Sequence, residues 1–141
     1  MIHPQLYEKS HKIIGKWIKN YNVVPQINTK IPNLHTSKNK NIELYFFESL
    51  KQLNIIKVKN LFLHNPIDWK NKKVKNFIIN ILDKKLISQF GLSIYDKTDI
   101  FKDPLIKILQ IPGNIFNQEI LLSEEINEFL SCGGKIQIRS I

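Results

Sequence analysis

Short apolar runs alternate with helical stripes along this chain, and that alternation restricts the fold more than any other feature. Residues 58–63, 90–94 and 106–111 are β-like runs of Ile, Leu, Val and Phe. Between the first two, Val74, Phe77, Ile78, Ile81 and Leu82 fall at i, i+3, i+4, i+7 and i+8, one face of an α-helix. Lys84 and Lys85 lie in its last turn, where positive charge suits the dipole. Ile42, Phe46, Leu50 and Leu53 make an earlier stripe. Ser10 is placed to cap a first helix bearing Ile13, Ile14, Trp17, Ile18 and Tyr21. Residues 23–29 read as a short strand, with Pro25 near its start. His64-Asn65-Pro66 stops the run that precedes it, because proline cannot extend a ladder. Residues 98–102 read as a weak helical turn. Ser123 caps a last helix with Glu124 and Glu125 in its first turn, Gly133-Gly134 ends it, and residues 136–141 form a final strand.

Strands that alternate with helices imply a parallel sheet with right-handed crossovers. The expected fold class is α/β, with about five parallel strands alternating with helices in one domain over residues 1–141. Pattern alone fits either a doubly wound sheet or part of a (β/α) barrel.

No apolar run approaches the ~18 residues of a membrane span. Residues 1–20 have no signal-peptide core, and one cysteine, Cys132, cannot pair internally. The expectation is a reduced, cytoplasmic protein with no membrane partner. A net charge of +9 invites a nucleic-acid reading. It is weakened by the make-up of that charge, 20 lysines and one arginine, beside 25 isoleucines, 15 asparagines and no alanine. Such a bias matches drift toward A and T codons, and readers of bases and phosphates favour the planar arginine fork. Lys70, Lys72, Lys73 and Lys75 fit a solvated helix face, so no specific nucleic-acid partner is expected. The alternative to an enzyme is a non-catalytic basic α/β module binding RNA or an anionic surface, which would need its lysines on one face.

Glycines stand at 15, 91, 113, 133 and 134, so neither a Rossmann fingerprint nor a phosphate-binding loop exists. There is no zinc-type spacing of His or Cys, and no metal is expected. Polar residues sit at or near the strand ends: Lys30 ends the first strand, His64 the second, Ser93 lies near the end of the third and Gln110 is on the fourth. Singly, each has a bland explanation as a solvated turn residue, a satisfied histidine or a backbone-bonding side chain. Together they occupy four strand ends, and in parallel barrels those ends line one mouth that carries the chemistry.

These residues carry a resemblance. Tyr7-Glu8-Lys9-Ser10-His11 followed by Ile13-Ile14-Gly15 resembles the Tyr-Gly-x-Ser-Glu segment of the aldo/keto reductases. Asn28-Thr29-Lys30 resembles that family's Thr-Lys strand end, and Ser49 to Leu53 with Leu63-His64-Asn65-Pro66 its Ser-Leu helix and Leu-His-x-Pro strand end. Gly91-Leu92-Ser93, Gln110 and Ile138-Arg139-Ser140 are similar to its following strands, in the same order. The resemblance implies a (β/α)8 TIM-type barrel, here incomplete, running from the end of strand two to about strand seven. It implies an oxidoreductase that reduces a small carbonyl substrate with NADP(H). Tyr7 would be the proton donor, Lys30 would lower the phenol pKa from near ~10, and His64 would orient the carbonyl oxygen. Ser93 and Gln110 would hold the nicotinamide carboxamide. The family's Asp five residues before the Tyr is Ile2 here, and Ile94 replaces an Asn after the Ser. A full barrel takes ~200 residues or more. The chain is therefore expected to be a truncated or inactive fragment on its own, with a complementary fragment as a conceivable partner.

Overall fold

The structure is a computed structural model and describes residues 4–35, 41–113 and 118–139, with side chains in the first helix from Lys9 onward. The described elements follow in the order α1 (Pro4–Tyr21), β1 (Asn28–Ile31), α2 (Ile42–Leu53), β2 (Val58–Leu63), α3 (Lys72–Asp83), β3 (Ile87–Ser93), β4 (Ile106–Pro112), α4 (Glu124–Ser131) and β5 (Lys135–Arg139). Short 3-10 turns at Pro66–Lys70 and Lys97–Asp99 join them.

All five strands are parallel, and their spatial order is β1-β2-β3-β4-β5. That order decides what the sequence left open. A doubly wound sheet needs a point at which strand order reverses. None occurs here, so this is the singly wound arrangement of a (β/α) barrel, five strands of it.

The sheet's two faces differ, as alternation along a strand requires. Ile31, Leu61, Leu63, Phe90, Leu92, Leu109 and Ile111 join the apolar stripes of α2 and α3 in one core. The opposite face carries Asn28, Asn60 and Gln89 at one level and Lys30, Phe62, Gly91 and Ile108 at the next. Ser93, Gln110 and Gln137 follow above them. The strand register thus stacks polar side chains at the C-terminal end.

Caps fix the helix starts. Asn41 accepts from Glu43 N and Leu44 N, at 3.0 and 3.1 Å. Asn71 accepts from Lys73 N, and Ser123 from Ile126 N. α2 stops at Asn54, which takes the left-handed conformation, φ 57°. Asp68 is buried beneath the β1 loop, accepting from Leu34 N and meeting His35.

Three expectations fail locally. Ser10 lies inside α1, which begins at Pro4, where the fixed φ of proline suits a first turn. The expected stripe of α1 is also largely open: Ile13, Trp17 and Tyr21 are exposed, whereas His11, Gly15 and Ile18 are buried. Gly15 sets this orientation, since a Cβ there would lie 2.0 Å from the Gln52 carbonyl oxygen of α2. Residues 23–27 form no ladder, and β1 starts only at Asn28. Among the described residues no helix is long and apolar enough to cross a membrane.

Candidate active site

Lys30, on β1, crosses the face of β2 to reach the next two strands. Its ammonium donates to Ser93 Oγ at 3.0 Å and to Gln110 Oε1. The fully buried Ser93 hydroxyl lies 3.5 Å from the same Gln110 oxygen. An open cavity of about 220 Å³ adjoins this cluster, lined by His11, Asn28, Thr29, Lys30, Phe62 and Gln110. His11 Nε2 lies 3.3 Å from Thr29 Oγ1 and so ties α1 to the same corner.

Three of the five expected site residues are therefore joined directly. His64 faces them across the rim. Burial, reinforced by the positive charges of Lys30 and Arg139, holds its imidazole below the ordinary value, so it is neutral at pH 7. Its ring meets Tyr95 edge-on, with centroids 5.9 Å apart. Tyr7 belongs to α1, but its side chain lies outside the described residues.

Burial, followed by the Arg139 guanidinium, lowers the Lys30 pKa from 10.5 to about 8. Below pH 8 the lysine is charged in both folded and unfolded chains, and the cost of burying the charge is fully present. As pH rises from about 8 toward 10.5 the unfolded chain holds more protons, so stability increases. Urea midpoints are expected to climb between pH 7 and roughly pH 9 in the natural chain and to stay flatter in Lys30→Met. An identical climb in the variant would refute the assignment.

The fold built from these elements has known relatives. Aldo-keto reductase AKR11C1 from Bacillus halodurans, in its holo form, superposes with a TM-score of 0.75 at 16% identity, over 94% of this chain and 48% of its own. An aldo/keto reductase from Klebsiella pneumoniae, in complex with NADP and acetate, gives 0.71 at 12% identity, over 92% of this chain and 47% of its own. The protein PA4992 from Pseudomonas aeruginosa, assigned to the aldo-keto reductases, gives 0.75 at 15% identity, over 92% of this chain and 56% of its own.

The fold is that of a partial aldo-keto reductase barrel.

The chain spans about half the length of these reductases. No protein-family model and no curated protein sequence matches it. Within the aldo-keto reductase fold, the strand-end residues Lys30, His64, Ser93 and Gln110 share one face and one end of the sheet. Sequence reasoning passed over three neighbours of that end. Arg139 closes β5, and its guanidinium lies 4.3 Å from the centre of the Tyr95 ring and 3.5 Å from the Ile94 carbonyl oxygen. Gln137 Oε1 is buried without a hydrogen-bond partner. The one available signal was that Arg139 is the only arginine in a lysine-rich chain. Among the described residues no cluster of His, Cys, Asp or Glu could hold a metal ion.

Proposed function

We propose that this chain is the central segment of a cytoplasmic, NADP(H)-dependent carbonyl reductase of aldo-keto reductase type. The observation that supports it is the Lys30–Ser93–Gln110 cluster, at the C-terminal end of parallel strands in a fold shared with reductases. The Gln110 oxygen accepts from Lys30, which leaves its amide N–H2 for a carbonyl acceptor. Gln137 Oε1, buried and unpaired on the adjacent strand, can accept from an amide N–H. Together these match the two ends of a carboxamide, and Gln110, Gln137 and Ser93 would hold it.

When bound, a reduced nicotinamide would supply hydride to the carbonyl carbon. The chain's own residues handle the oxygen. The neutral His64 donates to the carbonyl oxygen and fixes its direction. Tyr7 passes its phenolic proton to that oxygen, and the Lys30 ammonium makes the phenol a stronger acid. Among the described residues β1 and β5 are the two outer strands of the sheet. Preorganised geometry is the basis of this chemistry, so the isolated chain should hold the nicotinamide end without turnover. A complementary polypeptide that adds strands at those edges would be the partner, and a small carbonyl compound the substrate.

The test is a ¹⁵N NMR titration of the 141-residue chain with reduced nicotinamide mononucleotide. Saturable shifts of the Gln110 and Gln137 side-chain amides and the Ser93 amide are expected, with no oxidation of NADPH in the presence of 4-nitrobenzaldehyde. Unmoved Ser93, Gln110 and Gln137 signals would remove the cofactor assignment. Steady NADPH oxidation would overturn the claim that the chain alone is inactive.

A further inference from the structure

Around the Lys30 cluster lie Arg139 and Tyr95, which the proposed hydride transfer does not use, beside His64, which it does. Arg139 is the last residue of β5 and pairs in register with Pro112 of β4. Its side chain reaches past β4 to the Ile94 carbonyl oxygen beyond β3, at 3.5 Å, and rests on the Tyr95 ring. His64, at the end of β2, meets the same ring edge-on. One tyrosine is thus flanked by a guanidinium and an imidazole from strands that are not neighbours. Both flanking groups are under-satisfied: Arg139 Nε and His64 Nδ1 are buried with no hydrogen-bond partner. An unpaired buried guanidinium N–H is costly because it carries charge. Among the described residues no carboxylate supplies the missing acceptor. The ion pairs among the described residues are His35–Asp68, Lys75–Asp103 and Lys102–Glu128, all away from this rim.

We infer that Arg139 and His64 form a carboxylate-binding site on the rim, so that the carbonyl compound reduced is an oxo acid. The substrate class rests on the reductase reading given above, while the anion site itself does not. The unsatisfied Nε lies on the side of the guanidinium that presents two parallel N–H groups, a planar fork that matches a carboxylate. The contact from Nη2 to Ile94 is at the limit of a hydrogen bond and yields readily to a better acceptor. Stacking on Tyr95 holds the plane of the fork while it waits. Lys30, on the same rim, adds positive charge and is itself bonded to neutral oxygens only. A phosphate also presents two oxygens to such a fork, so the titration below sets the two anions against each other.

Arg139 is the only arginine in the sequence, so its Nε–H gives one side-chain resonance of its own. Titration of the 141-residue chain with pyruvate is expected to move that resonance along a saturable curve. Acetone, its neutral counterpart, should leave it in place, and inorganic phosphate should bind more weakly than pyruvate. Arg139→Lys keeps the charge and loses the fork, and should weaken pyruvate binding by roughly tenfold, about 1.4 kcal/mol. Arg139→Gln should abolish the response, with backbone dispersion reporting that the fold is intact. The inference is overturned by an unmoved Nε resonance, by an equal response to acetone, by tighter phosphate binding, or by undiminished pyruvate shifts at Tyr95 and His64 in Arg139→Gln. Reduced nicotinamide mononucleotide in parallel samples separates the two claims. Pyruvate binding without nicotinamide binding keeps the anion site and removes the reductase reading. Nicotinamide binding without pyruvate binding does the reverse.

Discussion

Trp69→Ala is expected to cost about 3–5 kcal/mol, a large part of the 5–15 kcal/mol that holds an ordinary domain together. Trp69 sits in the Pro66–Lys70 turn after β2 and is 1% exposed. Its ring lies 4.6 Å from that of Phe90 on β3, and Lys75 Nζ stands over it at 4.8 Å. The indole N–H donates to Asp103 Oδ2 at 3.1 Å, the oxygen that also receives Lys75. Truncation therefore empties a core site and takes a donor from a carboxylate shared between α3 and the loop before β4. Urea unfolding should show a lower midpoint with an unchanged slope. Trp69→Phe keeps much of the ring and loses only the indole hydrogen bond, so it should fall between the two. A midpoint that does not move in Trp69→Ala would show that this corner is not packed as described.

Gly91→Ala should be strongly damaging for a single added methyl, costing about 1–3 kcal/mol or more. A Cβ at Gly91 would stand 2.0 Å from the Ile108 carbonyl oxygen and 2.7 Å from the Ile108 side chain. The first of these is backbone of the adjacent strand and cannot swing aside. The ladder between β3 and β4 already shifts register at Phe90 and Gly91, so this is the point where the sheet bends. Ser93 follows two residues later on the same face, and the displacement should reach the Lys30 cluster. Gly133→Ala is the control: its φ of 82° strains a side chain, but nothing lies within 4 Å. A loss of about 1 kcal/mol is expected there, with the site unmoved. Equal losses in the two variants, or an unshifted Ser93 resonance in Gly91→Ala, would contradict this account.

Much of the scaffold was legible because its signals are local. α3 shows its core face in the spacing of Val74, Phe77, Ile78 and Ile81, all of which are buried. β2 runs over Val58–Leu63 as read, since Asn65 and Pro66 mark where a ladder must end. The residues Lys30, His64, Ser93 and Gln110 were found for the same reason: each lies at or near the end of a short β-like segment. Reading failed where packing chose between equivalent options. The apolar stripe of α1 suggested one buried face, and the close approach at Gly15 selected another. Arg139 has no local mark of function, because its partners Ile94 and Tyr95 lie more than 40 residues back along the chain.

Hydrophobic periodicity and turn chemistry are short-range properties, and from them the amino-acid order settled the alternation of strands and helices and the polar residues at strand ends. The order β1-β2-β3-β4-β5 came only from the folded chain. Strand pairing is set by which surfaces close against each other, and the same stripes would serve a doubly wound sheet equally well. That order turns four separate strand ends into one rim. It brings the Lys30 ammonium to Ser93 and Gln110, and carries the Arg139 guanidinium over to Tyr95, contacts between residues that no stretch of sequence holds together.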